Sequence, residues 1–191
     1  TLLLTCGANY SLEALPVLKP VILKNTYYRG HLIDNAKYGV MTSASNLINT
    51  VLPFFSGVLV DVYGPSYIAL LCSTCIAVGN LVLSVGASRG EFNMINGGEI
   101  LMGIGNVTIH MCQLKIYAHW FRGSTVDGPG LLGRVTGFDV AIGRVFGLMG
   151  ALIPAPLMEA TGKSYWGLWL GFIFSSFAWA LCLVYGLHER T

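Results

Sequence analysis

Hydrophobic and polar positions fall in long blocks along this chain. No charged side chain occurs from Tyr38 to Val60 and none from Val62 to Ser88, so Asp61 stands alone between two apolar runs. A membrane-crossing helix needs about 20 mostly apolar residues. Four runs reach that length, at 38–60, 66–87, 131–157 and 164–187. A fifth, 94–118, is apolar but interrupted by Glu99, His110 and Lys115. Residues 1–15, bounded by Glu13 and Pro16, read as the second half of a further helix. The pattern predicts five full spans and one partial span. A longer loop at 16–37, a tight turn at 61–66 and short loops near 88–93, 119–130 and 158–163 connect them. None of these connections is large enough for a soluble domain.

Composition puts these helices in lipid. The 191 residues are 54% hydrophobic and 10% charged, where a soluble domain carries about 25% charged residues. The expected fold class is an all-α, multi-pass membrane protein whose first partner is the bilayer. A net charge of +2 without a Lys/Arg cluster argues against nucleic acid. Cys6, Cys72, Cys75, Cys112 and Cys182 all lie in apolar runs and read as buried packing residues. The Cys72–Cys75 spacing lacks the polar surroundings of a metal site. No paired nucleophile and no metal-ligand spacing is present, so neither an enzyme nor a metal or other cofactor is expected. The sequons at Asn9 and Asn106 fall inside spans, out of reach of glycosylation.

Gly57, Asp61 and Gly64 form a Gly-x-Leu-x-Asp-x-x-Gly pattern at the turn between the second and third spans. Glycine permits a sharp turn, Asp can cap the next helix, and Pro65 suits that helix's first turn. The pattern also resembles the signature loop of the major facilitator superfamily. Gly98-Glu99-Ile100-Leu101-Met102-Gly103-Ile104-Gly105 is similar to that family's helix-four motif. The stretch from Tyr38 to Gly64 resembles the family's lysosomal branch and its fungal and protist relatives. The resemblance covers the whole chain and implies the N-terminal six-helix half of such a transporter, with a truncated first helix. It implies that the Asp61 turn faces the cytoplasm, against a six-to-four count of basic residues that favours the 16–37 loop. It also implies that Asp61 is a latch between the two halves. Two departures remove positive charge expected around Asp61: Pro65-Ser66-Tyr67 replaces the basic residues after Gly64, and Glu99 replaces the helix-four arginine.

Ionisable groups inside a membrane cost about 2.5–3.5 kcal/mol on insertion scales, so each is a functional candidate. In the fourth span, Glu99, Gly103, Asn106, His110, Gln113 and Tyr117 fall within an arc of about 80°. Such a face lines a cavity or bonds to neighbouring helices. His110 is either a proton carrier or a packing residue. Asp139 and Arg144 lie about 140° apart on the fifth span and are poor partners for each other. Arg144 is expected to pair with Glu99, with Asp139 through a bent helix, or with a substrate carboxylate. Glycines 133, 137, 143, 147 and 150, with Pro154 and Pro156, allow close crossings and bending in that span. Asn46 and Asn49 from the second span, and Asn9, Tyr10 and Glu13 from the first, complete the polar set. Substrate-cavity candidates are thus Asn46, Asn49, Asn106, His110, Gln113 and Arg144. Gating candidates are Gly57, Asp61, Gly64, Glu99 and Asp139.

The expected function is secondary or facilitative transport of a small organic solute, such as a small peptide, in a lysosomal, vacuolar or plasma membrane. The chain is expected to be a fragment, inactive until it meets its C-terminal six-helix half or a second copy. The alternative is a truncated or accessory membrane protein without transport activity.

Overall fold

A computed structural model describes residues 3–25, 27–28, 31–32, 35–121, 131–162 and 165–188. It is an all-α bundle: α1 Cys6–Asn25, α2 Asn35–Tyr63, α3 Pro65–Arg89, α4 Phe92–Phe121, α5 Leu131–Leu152, α6 Pro154–Thr161 and α7 Trp166–His188. Among the described residues, four segments are long and apolar enough to cross a membrane: Tyr38–Tyr63, Pro65–Arg89, Leu131–Thr161 and Trp166–Gly186. These are the four strong runs of the sequence. The predicted loop at 119–130 lies largely outside the described residues.

The largest departure from expectation is α1. It does not stop near Pro16 but continues through Pro16 and Pro20 to Asn25. Proline removes one helical hydrogen bond, yet membrane helices tolerate it where neighbouring groups compensate. Much of the predicted 16–37 loop is thus helical, and its described residues also include a short antiparallel pair, β1 (Tyr27–Tyr28) and β2 (His31–Leu32), with Tyr27 opposite Leu32. The fifth span is broken at Ile153, directly before Pro154, into α5 and α6.

The turn between α2 and α3 takes a single residue. Gly64 has φ +87° and ψ 148°, a conformation closed to most L side chains, and Pro65 starts α3 at once. No side chain caps α3. Asp61 thus belongs to the last turn of α2 and is not the cap that the sequence suggests.

Helices α3 and α4 make the tightest seam. A Cβ added to Gly79 would lie 2.6 Å from the Met102 nitrogen, and one on Gly98 would lie 2.6 Å from the Leu83 nitrogen. Small residues at such positions let backbones touch, which drives helix association in lipid. A polar knot ties a third and fourth helix to this seam. Asn80 of α3 accepts from Ser11 Oγ of α1 and donates through Nδ2 to Ser175 Oγ of α7 at 2.7 Å. All three side chains are buried. Gly7 of α1 faces Ser175, and Gly171 of α7 faces Ser11, so the helices approach where the knot forms. One apolar cluster gathers Leu4, Ile68, Ile76, Met102, Ile109 and Cys112, and another Tyr10, Leu18, Leu83, Ile95 and Leu168. Large apolar side chains such as Phe54, Phe138, Leu148 and Phe177 are exposed, as lipid-facing positions require.

Candidate functional site

Helices α1, α4 and α5 enclose an open cavity of about 620 Å³. From α1 and the turn before it the cavity takes Thr5, Asn9, Leu12 and Glu13, from α4 His110, and from α5 Asp139, Gly143, Arg144 and Gly147 among others. The α5 glycines set its shape. A Cβ on Gly143 would meet Asn9 Nδ2 at 2.8 Å, and one on Gly147 would meet Glu13 Cγ at 3.3 Å. Asn9 and Glu13 therefore lie flat against α5. Gly150 abuts the Tyr10 backbone, whereas Gly133 and Gly137 face open space and make no crossing.

The cavity carries charge of both signs. Arg144 projects into it without an ion pair among the described residues. Asp139 is held in place from α4: Tyr117 Oη donates to Asp139 Oδ1 at 3.1 Å, and Gln113 Nε2 at 3.4 Å. His110 stands close enough to Asp139 to feel its charge. Asp139 and Arg144 share the cavity but form no ion pair with each other, as their angular separation predicts.

The polar stripe of α4 divides between two neighbours. Gln113 and Tyr117 turn to α5, while Glu99 and Gly103 turn to α2. There Ser45 faces the Glu99 carboxyl, and Asn49 Oδ1 lies 3.4 Å from the Cβ position of Gly103. Asn106 is half-buried, with its Oδ1 enclosed and unpaired. Of the six substrate-cavity candidates, His110 and Arg144 line the cavity. Asn49 lies on the α2–α4 seam, Gln113 bonds Asp139, Asn106 is not among the lining residues, and Asn46 is exposed on α2.

At the far end of the same α2–α4 seam, Lys115 forms an ion pair with Asp61. This supplies the donor missing from the turn itself. Gly64 forms that turn, whereas Gly57 sits inside α2 with open space around it. Glu99 belongs to the opposite end. It lies 16 residues before Lys115, roughly 24 Å along the helix at 1.5 Å per residue. Its negative charge therefore does not bear on Asp61, and it cannot pair with an Arg144 that faces another seam. Asp139, expected at a gate, is a cavity residue. Asn9 and Glu13 stand out in the sequence but Ser45 does not, and Lys115 reads there as an interruption of its span and one of the basic residues counted for orientation. The 54-residue spacing between Asp61 and Lys115 has no local signature.

The chain is 24% identical over 127 residues to the lysosomal dipeptide transporter MFSD1 of Homo sapiens, covering 66% of this chain and 26% of that protein. The MFSD1 of Danio rerio is 25% identical over 109 residues, and that of Mus musculus 22% over 127. This chain is similar to MFSD1. No family model matches it. The aligned region spans about a quarter of the length of these curated relatives. These relatives are named as transporters of dipeptides in the lysosome.

Proposed function

We propose that this chain is one half of a secondary transporter that moves a small zwitterionic solute, of about dipeptide size, by alternating access. The observation that carries this reading is the α1–α4–α5 cavity, which places Arg144 and His110 beside Glu13 and Asp139 in a lipid-adapted bundle. Its volume falls within the range of about 300–1,000 Å³ typical of small-molecule sites. A cation in mid-span without a partner is costly, and a solute carboxylate relieves that cost at Arg144. Asp139, fixed by Tyr117 and Gln113, offers an acceptor for an ammonium group.

Alternating access places such a site between two halves. The partner is a second six-helix half or a second copy of this chain, and the membrane is lysosomal or vacuolar, as the MFSD1 relatives' name suggests, or the plasma membrane. Asp61 acts as a latch at the cytoplasmic end, with Gly64 giving the turn its shape. The test is uptake of a labelled dipeptide by the transporter in proteoliposomes. Arg144→Ala abolishes uptake while expression and folding persist, and Arg144→Lys retains a fraction. Unchanged uptake in Arg144→Ala makes Arg144 structural.

A further inference from the structure

The seam between α2 and α4 holds buried oxygen atoms that the cavity does not use. The two helices run in the same direction and keep one register. Ser45 faces Glu99, Asn49 faces Gly103 and Asp61 pairs with Lys115, each pair 54 positions apart. Glu99 is 4% exposed and Ser45 6%. Glu99 Oε2 and Asn49 Oδ1 are enclosed without a hydrogen-bond partner, and the Ser45 hydroxyl, likewise enclosed, turns to the Glu99 carboxyl. The Tyr38 hydroxyl, also unpaired, is within electrostatic reach of the same carboxyl. The nearby cation does not satisfy them: Lys19 Nζ of α1 sits over the Tyr38 ring, 4.9 Å from its centre, and makes no ion pair with Glu99.

Unpaired polar atoms are costly wherever water is excluded, and above all in lipid. Here two acceptor-only oxygens, of Glu99 and Asn49, gather at one seam with the hydroxyls of Ser45 and Tyr38. We propose that the seam binds one monovalent alkali cation, sodium in the first instance, through Glu99, Ser45 and Asn49. Hard oxygen ligands suit a hard cation. With a single carboxylate, a monovalent ion leaves the seam neutral, whereas a divalent ion would bury net charge. A proton on Glu99 would serve that group but leave Asn49 Oδ1 bare. Ser45 and Asn49 are one helical turn apart on α2, so an ion held between them and Glu99 clamps α2 onto α4. The clamp lies on the register that also carries Asp61 and Lys115.

The test is thermal unfolding of the purified protein in detergent, with NaCl exchanged for choline chloride at constant ionic strength. Sodium should raise Tm saturably, by about 3 °C or more at ten times the half-saturating concentration. Glu99→Gln and Ser45→Ala should each remove the rise, and Ser45→Ala decides if Glu99→Gln fails to fold. An equal rise with KCl supports an alkali site that does not discriminate. Three results overturn the proposal: equal effects of sodium and choline, a sodium response retained in Ser45→Ala, or a stability that follows pH but ignores sodium. The last result would assign the seam to a proton. The readout is binding, so it stands or falls separately from the transport reading.

Discussion

Lys115 of α4 pairs with Asp61 in the last turn of α2, and so a helix 54 positions along the chain supplies the positive charge that the turn lacks. The two side chains are 42% and 68% exposed. Ion pairs this accessible contribute on the order of 0–1 kcal/mol to stability. In the proposed latch role, the pair acts by favouring one conformation over another.

Asp61→Asn and Lys115→Met are therefore expected to shift Tm by no more than about 2 °C. Both should change the turnover of transport several-fold, with little change in apparent substrate affinity. The double variant Asp61→Lys/Lys115→Asp should recover part of the loss. Initial-rate uptake over a range of solute concentrations separates these effects, and a large Tm loss in the single variants would make the pair a structural one.

Asn80→Ala leaves the buried Ser11 hydroxyl without its acceptor and removes a bond to Ser175, which keeps its own bond to the Gly171 carbonyl. A buried group deprived of its partner costs about 1–3 kcal/mol, so Tm should fall by several degrees. Ser88→Ala, at an exposed hydroxyl that bonds its own helix, should leave Tm unchanged. Differential scanning fluorimetry on both variants compares them directly.

Close approach and open space predict opposite outcomes for two glycines. Gly98→Val forces a side chain into the α3 backbone and should abolish a monodisperse, folded yield. Gly137→Val points into open space and should be tolerated. Size-exclusion profiles after detergent extraction report the difference, and equal yields would mean that the α3–α4 seam separates more easily than its geometry implies.

Tyr117→Phe and Gln113→Leu each remove a hydrogen bond that positions Asp139. A bond to a charged group contributes about 1.5–3 kcal/mol, which corresponds to roughly ten-fold in affinity or more. The expected result is a higher KM for a zwitterionic solute with kcat little changed. A KM that does not move would remove Asp139 from the binding site.

The strong apolar runs were legible because lipid imposes one requirement everywhere along them: enough consecutive apolar residues to cross the bilayer. All four recur as long helices. The extent of α1 was not legible, because Pro16 and Pro20 are helix breakers in water and packed membrane helices absorb them. The cavity was partly legible: His110 and Arg144 are conspicuous as ionisable groups in apolar surroundings. Which polar residue meets which was hidden, since a stripe on α4 reads as one face until two neighbours divide it. Glu99 was placed beside Asp61 by motif resemblance, and helix length alone separates them. Asn80 gave no warning, because an amide in an apolar run carries no charge to attract notice.

The shared register of α2 and α4 also limits how these helices can move. If α2 slid toward the Asp61 end by one helical turn, about 5.4 Å, Ser45 would face Gly103 and Asp61 would approach His119. Intermediate positions would match no pair, so smooth sliding meets a barrier between discrete stops. Rotation of α2 away from α4, hinged at one end of the seam, is the motion this geometry leaves open. Under the proposed alternating access, whichever end is fastened would decide which side of the membrane the seam opens to.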